Sequence, residues 1–476
     1  MKIEQIYTGC LAQGAYYIES NGEAAIIDPL REVQPYINKA QKDNAKIKYI
    51  FETHFHADFV SGHVTLAEKT GAPIIYGPNA NPTFNAHIAK DGEEFKLGDI
   101  TIVALHTPGH TMESTTYLLK DENGKNHAIF SGDTLFLGDV GRPDLAQKAA
   151  NLTQEQLAAT LYQSLRNKIM VLEDDVIVYP AHGAGSACGK NLSKETVGTL
   201  GEQKQTNYAL RADMTEEEFV KEVTDGLLPP PAYFPLNVKL NKEGYENVEK
   251  IVEANKPLSP DEFEALAEES GALLLDVRSA SDFANGHIPG SIFIGLDGQF
   301  APWVGALITD IKQAILIIAP QGREEEAIIR LSRVGYDNTL GYLSGGFNSW
   351  KDSNKEYDTV EQVTAEEFEA KLQQDPIKIV DVRKPGEYNS AHLKYDNLTH
   401  SPLDFINDHI EDFPTDGKFY IHCAGGYRSL IAASILKARG YHNMIDVIGG
   451  FGAIKKTNLP ITEGICTSTC STSDKK

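Results

Sequence analysis

The sequence is short of several things, and each shortage narrows what the protein can do. Only 5 of its 476 residues are cysteine, a small and odd number. That excludes a disulfide framework and predicts a reducing, cytoplasmic setting. Long apolar runs are missing. The longest, such as Ala314-Ile315-Leu316-Ile317-Ile318-Ala319, are strand-sized and too short to span a bilayer. The opening MKIEQIYTGC lacks the apolar core of a secretory leader. Basic residues are outnumbered, 44 against 67 acidic ones, for a formal charge of −23. Such a surface repels nucleic acid and anionic membranes, and no run of Lys and Arg offsets it. What is left is the composition of a soluble globular protein. Its length fits about three domains at ~100–200 residues each. Cys466 and Cys470 lie in the tail 461–476, which ends CTSTCSTSDKK and reads as a loose end rather than a metal clip.

The second half repeats itself. Leu258-Ser259-Pro260-Asp261-Glu262-Phe263-Glu264-Ala265 returns 105 residues later as Val363-Thr364-Ala365-Glu366-Glu367-Phe368-Glu369-Ala370. Ser259 and Thr364 are predicted N-caps, with Glu262 and Glu367 closing capping boxes. The same offset joins Leu274-Leu275-Asp276-Val277-Arg278 to Ile379-Val380-Asp381-Val382-Arg383. Gly345-Gly346-Phe347 and Gly449-Gly450-Phe451 lie near the two ends. Short buried strands alternating with helices predict two small α/β domains, each with a largely parallel sheet, over 258–355 and 360–460.

Residues 1–240 read differently. Each of four short apolar strands is followed closely by a ligand-type residue: Ile47–Phe51 by His54, Ile102–Leu105 by His110, Ala128–Phe130 by Asp133, and Val176–Tyr179 by His182. A strand fixes where its loop emerges, so loops distant in sequence can meet at one point. Residues 241–257 read as a connector.

Five ligand-type residues just past strands, His54, His56, His110, Asp133 and His182, point to a metal. His54-Phe55-His56-Ala57-Asp58, Thr107-Pro108-Gly109-His110, Ser131-Gly132-Asp133-Thr134 and Pro180-Ala181-His182-Gly183 resemble, in order, the motifs of the metallo-β-lactamase superfamily. The resemblance implies an αβ/βα sandwich with metal at one edge. Two-metal members have a histidine after the aspartate; here Phe59 stands there. A phenyl ring cannot coordinate a cation, so Asp58 and His182 are the expected remnant of a second site, which weakens a bridging-hydroxide mechanism. His54, His110 and Asp133 remain, the two-imidazole, one-carboxylate face of non-haem Fe(II) oxygenases.

The persulfide dioxygenases of the superfamily use this triad, and Phe136–Leu145 resembles their segment after the metal aspartate. The resemblance implies one Fe(II) per chain, with zinc the alternative, and O2 oxidising a low-molecular-weight thiol persulfide to sulfite. It places His56 beside the metal without ligating it. Two readings stand for Arg142: it grips a carboxylate of the thiol carrier, or it pairs with Asp139 or Asp144. Two also stand for Cys188: a relay for sulfur near the metal, aided by Lys190, or a packing residue.

In the later repeat, Phe419-Tyr420-Ile421-His422 runs into Cys423-Ala424-Gly425-Gly426-Tyr427-Arg428 and then a helix. Backbone N–H groups of Ala424, Gly425, Gly426 and Tyr427 and the helix N-terminus favour a thiolate there. With Asp381-Val382-Arg383 and Gly449-Gly450-Phe451, this resembles rhodanese sulfurtransferases, whose cysteine carries a persulfide. The spacing to Arg428 is C-x4-R, a loop sized for one sulfur rather than for a phosphate. The earlier repeat has Ile318 or Ala319 at the cysteine's place and Glu324-Glu325-Glu326 close behind, so it is expected to carry no sulfur and to act as spacer or dock. Ala391-His392-Leu393-Lys394 departs from the H-I-P-G of His287-Ile288-Pro289-Gly290, which questions that loop's shape.

Together the halves resemble persulfide dioxygenase–rhodanese fusions. The implied role is sulfide and persulfide detoxification, with sulfite and thiosulfate as partners of Cys423. A zinc thioester hydrolase like glyoxalase II and a non-catalytic persulfide sensor are the rivals. A homo-oligomer stays open.

Overall fold

A computed structural model describes residues 1–462 apart from Asn191, Leu228 and Asp375. The readings of Cys466 and Cys470 lie outside the described residues. The chain divides into two compact units, residues 1–251 with 329–337, and 252–328 with those from 338 onward.

In the first unit two six-stranded sheets face each other. One runs in order Lys2–Thr8, Gln13–Ser20, Glu23–Ile27, Lys46–Phe51, Ile74–Tyr76 and His87–Ile88. The other runs Gly198–Thr199, Ile177–Pro180, Asn126–Gly132, Thr115–Lys120, Ile100–His106 and Glu94–Leu97. Tyr16, Ile18, Phe51, Ile102, Tyr117 and Phe130 fill the space between them. Helices cover both outer faces: Tyr36, Ala40 and Leu66 seal the first sheet, and Leu161, Leu200 and Phe219 the second. This is the expected αβ/βα sandwich. Buried runs such as Ala24–Ile27 suit strands covered on both faces. Residues 241–257 are more than a link. They hold the end of helix Phe234–Glu243 and all of helix Val248–Ala254.

The second unit contains two five-stranded sheets of one topology, and every strand pairing in them is parallel. Both predicted capping boxes are present, Ser259 with Glu262 and Thr364 with Glu367, opening helices Pro260–Ser270 and Ala365–Leu372. Strand register aligns the copies. Asp276 lies opposite Ile318, and Asp381 opposite His422. Ala319 is therefore the counterpart of Cys423. Among the described residues, no helix is long and apolar enough to cross a membrane.

Candidate metal centre and thiol loop

Four strand ends deliver the ligand-type side chains. His54 follows Lys46–Phe51, His110 follows Ile100–His106, Asp133 follows Asn126–Gly132 and His182 follows Ile177–Pro180. Ligand atoms of His54, His110 and Asp133 lie within 4.8 Å of one another. His110 Nε2 is 3.3 Å and His54 Nε2 3.9 Å from Asp133 Oδ2. Each ring is steered from behind. His54 Nδ1 meets the Thr53 hydroxyl at 3.0 Å, and His110 Nδ1 meets the Arg142 carbonyl at 2.9 Å. Both Nε2 atoms are thereby turned toward the carboxylate. Burial, reinforced by the rings of His56, His110 and His182, holds His54 well below the ordinary imidazole pKa. The neutral ring is the form that ligates. Both Asp133 carboxylate oxygens are buried without a hydrogen-bond partner among the described residues. An uncompensated buried charge costs several kcal/mol. A cation between these groups removes that cost, so the residues fit a metal.

A second group is richer than the sequence suggested. His56 joins Asp58 and His182, and Cys188 joins Asp133 and His182, each trio within 4.8 Å. His182 Nε2 stands 3.4 Å from Asp58 Oδ2 and 3.5 Å from Asp133 Oδ1. The Phe59 ring, next in the chain after Asp58, lies buried against His56, centroids 4.4 Å apart, and offers no ligand atom. Asn241 fastens this loop. Its amide donates to the carbonyls of His56 and Phe59 at 2.8 Å each and accepts from Ser61 N at 2.8 Å.

Sequence reasoning missed the carboxylates behind His56. His56 Nε2 is 3.1 Å from Asp28 and 3.6 Å from Glu52. Asp28 is itself held by the Thr53 N–H and hydroxyl at 2.8 Å each, and Glu52 by the Ser61 hydroxyl at 2.5 Å. Burial opposes a charge on His56, yet Asp28 and then Glu52 push it up to about 9. An imidazolium offers no lone pair. This neighbourhood favours His56 as partner of the carboxylates rather than as a ligand. Glu52 opens the histidine motif, and Asp28 directly follows the apolar run Ala24-Ala25-Ile26-Ile27. Those were the available signals.

Two residues that stood with two readings each are placed by their contacts. The Arg142 fork is spent on Asp144, Nε at 2.7 Å and Nη2 at 2.8 Å, with Nη1 on the Ala187 carbonyl. The ion pair is thus the observed one of its two readings. Cys188 is buried, and burial pushes its thiol up, helped by Asp58 and Asp133. Lys190 gives it no support. Its ammonium donates to the carbonyls of Glu222 and Asp225 at 2.6 and 2.8 Å.

A cleft of about 240 Å³ opens beside His110, walled by Phe55, Met112, Leu145 and Val238. Lys242 and Glu113 supply its charged groups. Glu113 is partly engaged, accepting from Phe55 N at 3.1 Å. Sequence reasoning missed Lys242, which comes to the cleft only through the packing of its helix.

In the second unit, Cys423 is the first residue past strand Phe419–His422 and is 1% exposed. Gly426 N–H donates to its Sγ at 3.1 Å, from a left-handed conformation, φ 100°. Ala424 and Gly425 form the exposed rim. The loop is clasped from the other side. Phe451 N donates to the Cys423 carbonyl at 2.7 Å and Gly452 N to that of Ala424 at 2.9 Å. A Cβ on Gly450 would stand 2.4 Å from the Cys423 carbonyl oxygen, which is why glycine is needed there. Arg428 is held by both oxygens of Glu387, at 2.6 and 2.7 Å, and this hydrogen bonding holds the Glu387 carboxyl below its ordinary range. Its guanidinium therefore braces the loop. Tyr427 turns away from the rim, its hydroxyl donating to Gly295 O at 2.7 Å.

The doubtful loop keeps its shape. Arg383 Nη2 donates to Ala391 O at 2.9 Å, as Arg278 Nη2 does to Gly286 O at 2.7 Å. His392 stacks on Tyr388, centroids 4.0 Å apart, as His287 does on Phe283 at 4.0 Å.

A sandwich with clustered His and Asp at strand ends, joined to a doubled parallel-sheet module with one cysteine loop, defines a metal-binding enzyme class with an attached sulfurtransferase-like module. The chain belongs to the metallo-beta-lactamase superfamily, whose profile matches residues 8–182, and it carries two rhodanese-like domains, matched at 259–353 and 364–457. Relatives point two ways. It is 30% identical over 221 residues to the persulfide dioxygenase ETHE1, mitochondrial, of Homo sapiens, covering 46% of this chain and 78% of that one. It is 34% identical over 187 residues to the cytoplasmic hydroxyacylglutathione hydrolase of Arabidopsis thaliana, covering 38% and 67%. Among solved structures, a metallo-beta-lactamase from Staphylococcus aureus subsp. aureus COL matches with TM-score 0.63 and 32% identity, over 72% of this chain and 98% of that one.

Proposed function

We propose that the first unit is a persulfide dioxygenase with one Fe(II) per chain, held by His54, His110 and Asp133, and that Cys423 carries sulfane sulfur. The observation that supports it most is the triad beside an open cleft, with Phe59, which cannot coordinate a cation, following Asp58 and packed on His56 in the second group. Iron(II), which His54, His110 and Asp133 would hold, would supply the redox chemistry that brings O2 and a sulfur atom together. The overall conversion takes a thiol persulfide, O2 and water to thiol, sulfite and two protons. The outer sulfur gives up four electrons, and O2 accepts them. At Cys423, a persulfide's outer sulfur passes to the thiolate and releases the carrier thiol. Sulfite then attacks that sulfur, forming thiosulfate and freeing the cysteine; the reverse follows the same bonds. A reducing compartment suits both chemistries.

The carrier lies in the cleft, its sulfur end toward His110 and a carboxylate on Lys242. At about 240 Å³ the cleft is smaller than the ~300–1,000 Å³ of sites for drug-sized ligands, so a small carrier suits it. A zinc thioester hydrolase is the second reading, favoured by the trio His56, Asp58 and His182 and by the hydrolase relative.

Metal analysis with O2 uptake on glutathione persulfide decides between them. One iron per chain and O2 consumption are expected; two zincs with thioester cleavage and no O2 uptake sink the reading. In Lys242→Ala, KM for a carboxylate-bearing persulfide should rise ~10-fold with kcat kept, while a neutral persulfide is unaffected. An equal change for both carriers removes Lys242 from carrier binding.

A further inference from the structure

The cysteine-less copy touches the thiol loop of the other. Tyr427, first residue of helix Tyr427–Ala438, donates its hydroxyl to the carbonyl of Gly295 at 2.7 Å. Its ring meets Phe293 edge-on, centroids 5.7 Å apart at 72°. It also lies on Gly298 so closely that a Cβ there would sit 2.3 Å from ring atom Cζ. Gly295, Gly298 and Phe293 all belong to the copy without a nucleophile. About two helix turns along, the Ser434 hydroxyl accepts from Phe293 N at 2.9 Å, capping the edge strand Ile292–Phe293 of that copy. The helix that carries the thiol loop is thus seated on its partner copy at both ends of this contact.

The seat is next to the chemistry. Tyr427 directly follows Gly426, whose N–H donates to Cys423 Sγ. A tyrosine that shifts pulls the Gly426 Cα with it, displacing the N–H bonded to the same residue, and hydrogen bonds weaken steeply once misaligned. The counterpart of Tyr427 in the other copy is Arg323, which donates to Asp297 at 2.8 Å, inside the same 295–298 segment. The obsolete loop of one copy therefore steadies the segment on which the working loop of the other rests.

We infer that the cysteine-less copy positions the Cys423 loop through the Gly295–Gly298 seat for Tyr427, with Tyr427 and Gly298 as positioning residues. This rests on the reading of Cys423 as sulfur carrier. The seat sets the orientation of one N–H at the thiol and does not touch substrate.

The test uses the full chain with thiosulfate as sulfur donor and cyanide as acceptor. Gly298→Ala, a change of one methyl in the copy without a cysteine, is expected to lower kcat at Cys423 at least 10-fold. KM for thiosulfate should stay within twofold, O2 uptake at the metal centre should be unchanged, and the thermal midpoint should move by only a few degrees. Tyr427→Phe keeps the ring and removes the hydroxyl, and should lower kcat several-fold; it decides alone if Gly298→Ala does not fold. Gly290→Ala, at a left-handed glycine of that copy with open space around it, is the control for general destabilisation of that copy and should leave kcat intact. Unchanged kcat in both positioning variants, or an equal loss in Gly290→Ala, overturns the inference. A parent chain without any sulfur transfer overturns the reading of Cys423 instead.

Discussion

Ala319 and Cys423 occupy one position in two copies of one fold, each a residue past the strand that pairs with the Asp-Val-Arg strand. The framework around them is common to both. Arg278 clasps Asp276 and lies over the Phe347 ring at 4.3 Å; Arg383 clasps Asp381 and lies over Phe451 at 3.8 Å. The differences that bear on the chemistry lie in the loop and the strands beneath it. Ala424, with an N–H, has Pro320 as counterpart, without one. Arg428, braced by Glu387, has Glu324. Buried His422 has Ile318, and buried Asp446 has half-buried Tyr342. The charge state follows. Burial raises Asp276 despite its arginine, whereas at Asp381 His422 and Arg383 outweigh burial and the pKa is lowered. The fold survives loss of chemistry because the clasp and the loop are separate parts.

The sharpest way to break this comparison is to exchange the thiol. Cys423→Ser should lower sulfur transfer at least ~10³-fold while O2 uptake persists and sulfite replaces thiosulfate as product. Ala319→Cys should restore nothing in that background, since Pro320 removes a nest N–H. Measurable transfer by the Ala319→Cys chain would show that any strand-end thiol in this fold suffices.

Next in size is Asp446. Burial raises its pKa from 3.8 to about 6. The stability its neutral carboxyl brings is full below 3.8 and lost as pH rises through about 6. Asp446→Asn, neutral throughout, should therefore gain on the parent by about 2–3 kcal/mol more at pH 8 than at pH 4, read by urea unfolding. A pH-independent difference would mean that the carboxyl is solvated. The smallest effect is at Glu387. Glu387→Gln weakens the brace on Arg428 and should slow sulfur transfer ~3–10-fold, about 1 kcal/mol for a part-exposed pair. The cysteine-less copy, with Glu324 at that place, has no such brace to lose.

Much of this was legible in the sequence because local rules carried it. Capping boxes need four adjacent residues, and ligand loops need only a strand before them. His54, His110, Asp133 and His182 could be named on that basis. The rest depended on which way side chains turn after packing. Arg142 had two acidic neighbours in sequence and chose Asp144. Lys190, adjacent to the Cys188 segment, points to helix-end carbonyls instead. Asp28 comes under His56 only because its strand pairs with Lys46–Phe51. Tyr427 looked like part of the substrate rim; its partner lies 132 residues away, in a copy whose contact no local pattern predicts.

The depth of the Cys423 thiol has a further effect on traffic. The thiol is buried behind exposed Ala424 and Gly425. Under the carrier role proposed for Cys423, an added sulfur atom would extend the side chain by one bond, ~2.05 Å, and a small anion would reach it sooner than a bulky electrophile. The same depth would then screen the bare cysteine and select its acceptors by size.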